Sequence, residues 1–126
     1  MALNARHGRH FPAFVLLALA VLGPSHAPVV AEWLEKLPGG MNADLPSIYR
    51  TFQALREDGY VAEEWTVGGG APRHVFRITP AGRQALYACR EDLSRSRQNL
   101  TFFLEQLDQL EASSALSEGE GTVPHG

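Results

Sequence analysis

Residues 45–82 read LPSIYRTFQALREDGYVAEEWTVGGGAPRHVFRITPAG, a stretch that predicts one helix followed by two strands. Four apolar residues recur at the spacing of one helix face: Leu45, Ile48, Phe52 and Leu55. They predict a helix from about Pro46 to Asp58, with Gly59 ending it. From Tyr60 to Val67 the apolar period changes to two, which is typical of a strand. A glycine-rich turn and a returning strand from Arg73 to Thr79 complete a predicted β-hairpin.

Two further helices are predicted before this stretch. The first covers residues 14–22 and is apolar on every side, so we expect it to be covered on more than one side before Gly23-Pro24 ends it. The second is predicted between Ser25, as its cap, and the turn Pro38-Gly39-Gly40. Its single apolar stripe consists of Val30, Trp33, Leu34 and Leu37. Together the elements predict a mainly α fold with a small β-hairpin wing, a winged helix-turn-helix.

A long C-terminal helix is predicted after the hairpin. Thr79 and Pro80 suit its cap and first turn, and the pattern continues to about Glu111. Leucines recur every seven residues along it, which is typical of a coiled-coil seam. Such a stripe exceeds what the preceding domain can cover, so a homodimer is predicted, with the second apolar side of the first helix contributing. The predicted dimer interface consists of Leu86, Cys89, Leu93, Leu100, Phe103, Leu107 and Leu110.

The length of 126 residues suits one domain with appendages, and 44% apolar residues suffice for a core. The patterns divide the chain into four segments. They are a flexible N-terminal arm at 1–9, a winged helix-turn-helix domain at 10–79, a dimerisation helix at 80–111 and a disordered tail at 112–126, which is rich in Ser, Gly and Glu.

The N-terminus imitates a secretory signal peptide. Arg6 and Arg9 precede a 12-residue apolar run at 11–22, and Ser25-His26-Ala27 resembles a cleavage site. Pro28 would follow the cleaved bond, where proline is a poor choice, and cleavage would delete the first helix of a domain whose other parts are all present. We therefore expect a cytoplasmic protein with no membrane partner.

The distribution of charge differs from the net charge of −3. Residues 1–83 hold 8 Lys and Arg against 7 Asp and Glu, whereas residues 84–126 hold 3 against 7. No acidic residue lies between Trp65 and Arg90, a stretch that contains several arginines. Because binding to nucleic acid responds to the charge that faces the phosphates, a locally basic surface on an acidic protein suffices for a small DNA footprint. The alternative is an ordinary solvated strand face.

The third helix and the hairpin carry the predicted DNA-binding residues. A helix fits the major groove, where phosphate contacts position a protein and base contacts specify the sequence. Ser47, Arg50 and Gln53 are predicted to point away from the apolar face. On that exposed face Arg50 can reach guanine and Gln53 adenine, while Tyr49 and Thr51 flank the exposed face and can donate to phosphate. The helix N-terminus near Ser47 favours a phosphate. The full predicted set is Ser47, Tyr49, Arg50, Thr51, Gln53, Arg56, Arg73 and His74, each of which could alternatively be ordinary surface decoration.

Three stretches carry a resemblance to a known family: Leu45 to Val61, Gly70 through Thr79-Pro80-Ala81-Gly82, and Leu22-Gly23-Pro24-Ser25-His26. Over about residues 12–110 the chain resembles the PadR family of bacterial transcriptional regulators, in its short form with a single C-terminal helix. The resemblance implies a dimeric repressor that binds a two-fold-symmetric operator in double-stranded DNA. It also implies release by an effector, which in relatives can be a small, flat hydrophobic molecule bound between the chains. The chain departs from the family at His26-Ala27-Pro28, where relatives usually have His-Gly-Tyr.

The sequence argues against an enzyme. The single cysteine, Cys89, excludes an intramolecular disulfide and supports no zinc site, so neither a metal nor a cofactor is predicted. No phosphate-binding loop or nucleophile motif occurs. Cys89 is interpreted as a small buried residue, with a redox-sensing thiol as the alternative. Trp33 and Trp65 are interpreted as packing residues rather than a ligand cage. The alternative function is a winged-helix module for protein–protein interaction without sequence-specific DNA binding.

Overall fold

The computed structural model describes the backbone of residues 10–120 and the side chains of residues 10–116. Its elements are α1 (Phe11–Leu22), α2 (Ala27–Glu35), α3 (Leu45–Glu57), β1 (Val61–Thr66), β2 (Arg73–Ile78) and α4 (Pro80–Glu120). This order confirms the predicted fold class, a mainly helical chain with a two-stranded antiparallel hairpin and a long C-terminal helix. The predicted arm at 1–9 and the last six residues of the predicted tail lie outside the described residues.

The core lies where α1, α2, α3 and the hairpin meet. Large apolar side chains from each helix are completely buried there, among them Leu16, Leu34 and Ile48. Phe52 of α3 stacks on Phe76 of β2, with ring centroids 4.1 Å apart, so the hairpin closes one side of this core. Burial of each such side chain stabilises the folded state by ~1.5–3 kcal/mol. The core therefore fixes the position of α3 relative to the base of the hairpin.

The all-round apolar character of α1 corresponds to burial on more than one side. Seven of its 12 residues are buried, as the sequence predicts for a helix without a polar face. At its C-terminal end, however, Val21 and Leu22 remain exposed. Phe14 is half-buried and packs against the core. The apolar C-terminal end of α1 is thus left exposed by the described residues of its own chain.

The predicted cap of α2 is wrong. Its N-cap residue is His26, and Ser25 lies one residue earlier in extended backbone that pairs with β2. The Ser25 amide donates to the Phe76 carbonyl at 3.0 Å, and the Phe76 amide donates to the Ser25 carbonyl at 2.8 Å. The Ser25 hydroxyl donates back to the Gly23 carbonyl at 2.8 Å. Because pairing with β2 fixes the backbone of Ser25, its side chain does not reach the first turn of α2.

The hairpin has a regular antiparallel register, with Val61 opposite Ile78 and Thr66 opposite Arg73. Its tip contains Gly68, Gly69 and Gly70, all at positive φ (129°, 66° and 144°), a conformation that glycine adopts without steric cost. Residues opposite each other in such a pair share a face of the sheet. One face therefore presents Val61, Glu63, Trp65, His74, Phe76 and Ile78.

A close contact joins the hairpin to α4. The Gly82 amide donates to the Thr79 hydroxyl at 3.0 Å, which confirms the predicted cap. The Thr79 amide donates to the Tyr60 carbonyl at 3.0 Å, so the cap is itself tied to the start of β1. A β-carbon at Gly82 would lie 2.1 Å from that Tyr60 carbonyl oxygen. Only glycine lets the first turn of α4 approach the hairpin this closely.

The helix α4 ends later than predicted. It continues to Glu120, so residues 112–120 are helical rather than disordered. These residues include several good helix formers, Ala, Leu and Glu, and extending an existing helix avoids the cost of nucleation. The chain divides into two compact units, one ending at Cys89 and the other beginning at Arg90. The division falls ten residues after the predicted boundary because Ala85, Leu86 and Cys89 pack against the core of the first unit.

Candidate nucleic-acid interface

The helix α3 has one buried and one exposed face. Ile48, Phe52 and Leu55 are completely buried in the core, whereas Arg50 and Gln53 lie on the exposed side. The two faces follow from the 3.6-residue period of the helix. Arg50 and Gln53 therefore lie where the sequence predicts them, on a polar surface whose orientation is fixed by a tightly packed inner face.

Asp44 caps the N-terminus of α3, a role that the sequence analysis missed. Its Oδ2 atom accepts a hydrogen bond from the Ser47 amide at 3.0 Å, and its Oδ1 atom accepts one from the Ser47 hydroxyl at 2.9 Å. An Asp three residues before a serine was the available signal, because the side-chain oxygen of an N-cap residue accepts from the amide of the third helical residue. The Ser47 amide, near which the sequence predicts a bound phosphate, therefore already donates to the Asp44 carboxylate.

The predicted exposure of Ser47 is wrong, since it is only 4% exposed. Its hydroxyl oxygen accepts a hydrogen bond from the Arg50 Nη2 atom at 3.1 Å while donating to Asp44. The Ser47 hydroxyl thus links the Asp44 carboxylate to the exposed Arg50 guanidinium. It orients Arg50 rather than presenting its own hydroxyl to a ligand.

Thr51 was also placed on the wrong side of the helix. It is 5% exposed, because positions 48, 51, 52 and 55 follow the i, i+3, i+4, i+7 spacing of the buried stripe. Tyr49 is different: its ring contacts Phe52 edge-on, with centroids 6.4 Å apart, and its side chain remains exposed. Of the two hydroxyl-bearing residues predicted to reach phosphates, only Tyr49 is accessible.

Glu63 links α3 to the hairpin. Its Oε1 atom lies 2.5 Å from Arg56 Nη1, and its Oε2 atom lies 2.5 Å from His74 Nε2. Arg56 also donates from Nη2 to the Gln53 Oε1 atom at 2.9 Å. Gln53, Arg56 and His74, all predicted as DNA-binding residues, therefore belong to one hydrogen-bonded network. Glu63 shares its face of β1 with Val61 and Trp65, and this position of a carboxylate was the available signal for such a network.

Trp65 and His74 form an aromatic pair on the hairpin. Their rings stack at a centroid distance of 4.5 Å and an interplanar angle of 10°, and the His74 ring also contacts that of Phe76, tilted by 41° at 4.5 Å. Trp65 packs within the wing, as interpreted from the sequence, yet it is 64% exposed. Arg73, next to His74, is exposed at the start of β2. The hairpin thus exposes the Arg73 cation and the Trp65 indole, while His74 is held by its neighbours.

The residues of the predicted dimer interface differ in their burial. Leu86 and Cys89 are half-buried against the core of their own chain, and the Cys89 thiol donates to the Ala85 carbonyl at 3.4 Å. Leu93 is also half-buried. The remaining positions, in the second unit, are exposed: Leu100, Phe103, Leu107 and Leu110. Leu104, which was not among the predicted positions, is also exposed and lies on the same side of α4, four residues after Leu100.

A family model decides the relationship of the chain to known proteins. The model of the transcriptional regulator PadR-like family matches residues 15–88, more than half of the chain. The chain belongs to the PadR-like family. The match begins inside α1 and continues through α3 and the hairpin to the first turns of α4, so it contains every predicted DNA-binding residue. No curated protein matches the sequence closely enough to count as a relative.

Solved structures share the fold of this PadR-like chain. One is a conserved protein described as a potential transcriptional factor, with 27% identity, a TM-score of 0.68 and coverage of 86% of this chain and 96% of that one. A PadR family transcriptional regulator from Eggerthella lenta has 24% identity, a TM-score of 0.60 and coverage of 74% and 82%. Bacillus subtilis PadR in complex with operator DNA has 16% identity, a TM-score of 0.50 and coverage of 90% and 80%. At the identities of the last two, the likeness shows the fold alone.

The PadR-like family consists of transcriptional regulators. Across the described part of the chain, no three His, Cys, Asp or Glu side chains are grouped so that they could hold a metal ion. No helix among the described residues is both long and apolar enough to span a membrane.

Proposed function

We propose that this PadR-like chain is a homodimeric regulator that binds double-stranded DNA, with α3 as the recognition helix and the β1–β2 hairpin as the wing. The observation that carries the proposal is the position of Arg50 and Gln53 on the exposed side of a helix whose other side is completely buried. A rigid helix with long polar side chains on its outer surface suits the major groove. The exposed Arg73 adds a cation on the wing.

Base recognition is assigned to Arg50 and Gln53. The hydrogen bond to Ser47 uses one N–H group of the Arg50 Nη2 atom. The other N–H donors of the guanidinium can bond to the O6 and N7 atoms of guanine. The Gln53 carbonyl oxygen accepts from Arg56 and keeps a second lone pair, while its amide nitrogen can donate to adenine N7. Both residues are therefore partly oriented before DNA binds.

Phosphate contacts are assigned to Tyr49 and Arg73, whose side chains are exposed. Ser47 and Thr51 are excluded from direct contact by their burial. His74 is reassigned from phosphate binding to support of the wing, because its ring is enclosed by Trp65 and Phe76 and its Nε2 atom is engaged by Glu63.

A salt titration with Arg50→Ala and Arg73→Ala on selected and random duplexes tests these assignments. Loss of the Arg50 base contact should cost ~1–3 kcal/mol per site and relax sequence preference at one position. Loss of the Arg73 phosphate contact should weaken binding to all duplexes and reduce the salt slope by about one per site. Arg95→Ala, which removes the same charge from the second unit, is the control and should leave discrimination unchanged. If neither test variant alters binding to any duplex, the protein-interaction function replaces this proposal.

The proposed dimer has support in the uncovered apolar residues of α4. Four predicted seam residues and Leu104 are exposed in a single chain, and a contiguous apolar stripe on a helix marks an interaction surface. A two-fold axis between the chains would present two recognition helices, so the operator should have two-fold symmetry with half-sites about one DNA turn, or a multiple of it, apart.

Release of DNA by a small hydrophobic effector is proposed from family membership. Trp33 is half-buried and packs against the core of its own chain, which supports its interpretation as a packing residue rather than part of a ligand cage. We therefore expect an effector to bind between the two chains. Flat aromatic compounds added to the preformed protein–DNA complex should then lower its affinity.

A further inference from the structure

We propose that Glu63 is a positioning residue for DNA recognition, which ties the recognition helix to the wing and withholds the charge of Arg56 from non-specific phosphate contacts. The inference rests on the proposed DNA binding and adds to it a residue that does not touch DNA. Its expected effect is on discrimination between operator and random DNA, rather than on affinity alone.

Both oxygens of the Glu63 carboxylate are engaged, and each bonds to a different element. Arg56 of α3 lies 2.5 Å from Oε1, and the His74 Nε2 atom of β2 lies 2.5 Å from Oε2. The Glu63 side chain is 28% exposed, against 44% for Arg56. Partial burial without a partner would be costly for a carboxylate, so the network favours one arrangement of these three side chains.

A second set of contacts reaches His74 from the core. Phe52 of α3 stacks on Phe76, Phe76 contacts the His74 ring, and that ring also stacks on Trp65. His74 is therefore held by two aromatic rings and by a carboxylate at Nε2. Since Glu63 joins this residue to Arg56, the outer part of the wing is connected to the exposed side of α3 by polar contacts as well as through the core.

The electrostatic consequence concerns Arg56. Its guanidinium donates to the Glu63 carboxylate and to the Gln53 amide oxygen, so a DNA phosphate would have to compete with a carboxylate already in place. Such a pair contributes little net positive charge to the binding surface. The same bond to Gln53 restrains a residue assigned to base reading. Removing the carboxylate charge should therefore release one cation for phosphates and loosen one base-reading side chain.

Glu63→Gln tests the proposal because it removes the charge and keeps the size of the side chain. In salt titrations, we expect the slope of log K against log salt on random DNA to become steeper by about 0.9 for each chain in contact, as one more phosphate is neutralised. Affinity for random DNA should rise on the order of tenfold per added contact near ~0.1 M salt. The ratio of operator to random affinity should fall. A purely structural role for Glu63 would not make the slope steeper.

Glu64→Gln is the matched control. Glu64 is the next residue of β1, lies on the opposite face of the hairpin and pairs with Arg77 at 3.5 Å. The Glu64→Gln substitution removes the same charge from the same strand. An equal change in the salt slope and in the ratio of operator to random affinity for both variants would therefore overturn the proposal in favour of a general charge effect. Circular dichroism and a thermal unfolding curve on each variant establish that the fold is retained.

A double variant shows whether Glu63 acts through Arg56. In an Arg56→Gln background, Glu63→Gln should no longer steepen the salt slope, because the cation it would release is absent. A full increase in that background would overturn the proposal. If Glu63→Gln fails to fold, Arg56→Gln alone still tests the proposal. Arg56→Gln should lower the ratio of operator to random affinity without making the salt slope steeper. An unchanged ratio would contradict the proposal. Wild-type protein that binds no duplex would refute the proposed function instead.

Discussion

At Gly82, a single hydrogen atom decides whether α4 can pack against the hairpin. Alanine in a helix is ordinarily more stable than glycine by ~0.8–1.0 kcal/mol. Here the added β-carbon would lie 2.1 Å from the Tyr60 carbonyl oxygen, which also accepts the Thr79 amide. Because this oxygen belongs to the backbone, it cannot move aside as the end of a flexible side chain could, so the usual preference should be reversed.

We expect Gly82→Ala to lower the free energy of unfolding by ~1–3 kcal/mol, the usual cost of overpacking, measured as a reduced urea midpoint. Gly39→Ala is the control, since a β-carbon at Gly39 meets no atom within 4 Å, and its midpoint should stay close to that of the wild type. A stabilised Gly82→Ala protein would show that the contact is looser than described.

The exposure of a single residue could be predicted from the sequence where helical period alone determines it, and was predicted wrongly where period and side-chain polarity disagree. Arg50 and Gln53 were placed correctly from helical period alone. Thr51 was misplaced because its polar hydroxyl was given more weight than its position on the buried stripe. Glu63 shows the converse: a carboxylate on an apolar face signals a specific partner, but the sequence does not say that Arg56 and His74 supply it.

Among the elements, α3 depends on its first turn. Asp44 accepts hydrogen bonds from both the amide and the hydroxyl of Ser47, and Ser47 in turn bonds to Arg50. Loss of an N-cap of this type costs ~0.5–2 kcal/mol. We expect Asp44→Ala to destabilise the protein by about that amount and to weaken operator binding further, because Arg50 loses its support. Urea unfolding and binding to operator DNA measure the two effects.

Asp58→Ala is the matched control for the cap. Asp58 is the C-cap residue of the same helix, where a negative charge is unfavourable to the helix dipole. Removing it should leave stability unchanged or slightly raised. If the two substitutions cost the same, the Asp44 bonds contribute nothing specific to α3.

The sequence predicted the type of every element and the bounds of both strands to within one or two residues, because glycine and proline mark the turns between them. It did not predict the start of α2 or the end of α4. Pairing of Ser25 with β2 is a contact between distant parts of the chain, which no local pattern records. Residues 112–120 contain serines that favour a loop, yet they continue a helix that is already nucleated.

For the whole molecule, the heptad repeat of α4 does not indicate whether an apolar position packs against its own chain or against a second chain. Leu86 and Cys89 pack against their own core, whereas Leu100, Phe103, Leu107 and Leu110 are exposed. We therefore propose that the dimer contact lies in the second half of α4. Burial of each large apolar side chain there would contribute ~1.5–3 kcal/mol against the cost of association.

We expect the wild-type protein to sediment as a dimer at micromolar concentration and the double variant Leu100→Asp/Leu107→Asp to sediment as a monomer. The control is Gln98→Asp/Gln109→Asp, which adds two acids on the opposite side of the same helix and should remain dimeric. A monomeric wild type, or equal dissociation of both double variants, would contradict the proposed dimer contact through the apolar stripe of α4.

The backbone pairing of Ser25 with Phe76 has a consequence for how the molecule opens. These residues are 51 positions apart, so their two hydrogen bonds close a long loop that pins β2 to the turn between α1 and α2. A hairpin held only at its base can swing away in a local fluctuation, but this one must first break a pairing anchored in the helical core. Amide hydrogens at the bridge should accordingly exchange with solvent only when the entire winged-helix unit unfolds. The wing then belongs to the same cooperative unit as the helices, and only its glycine tip exchanges independently.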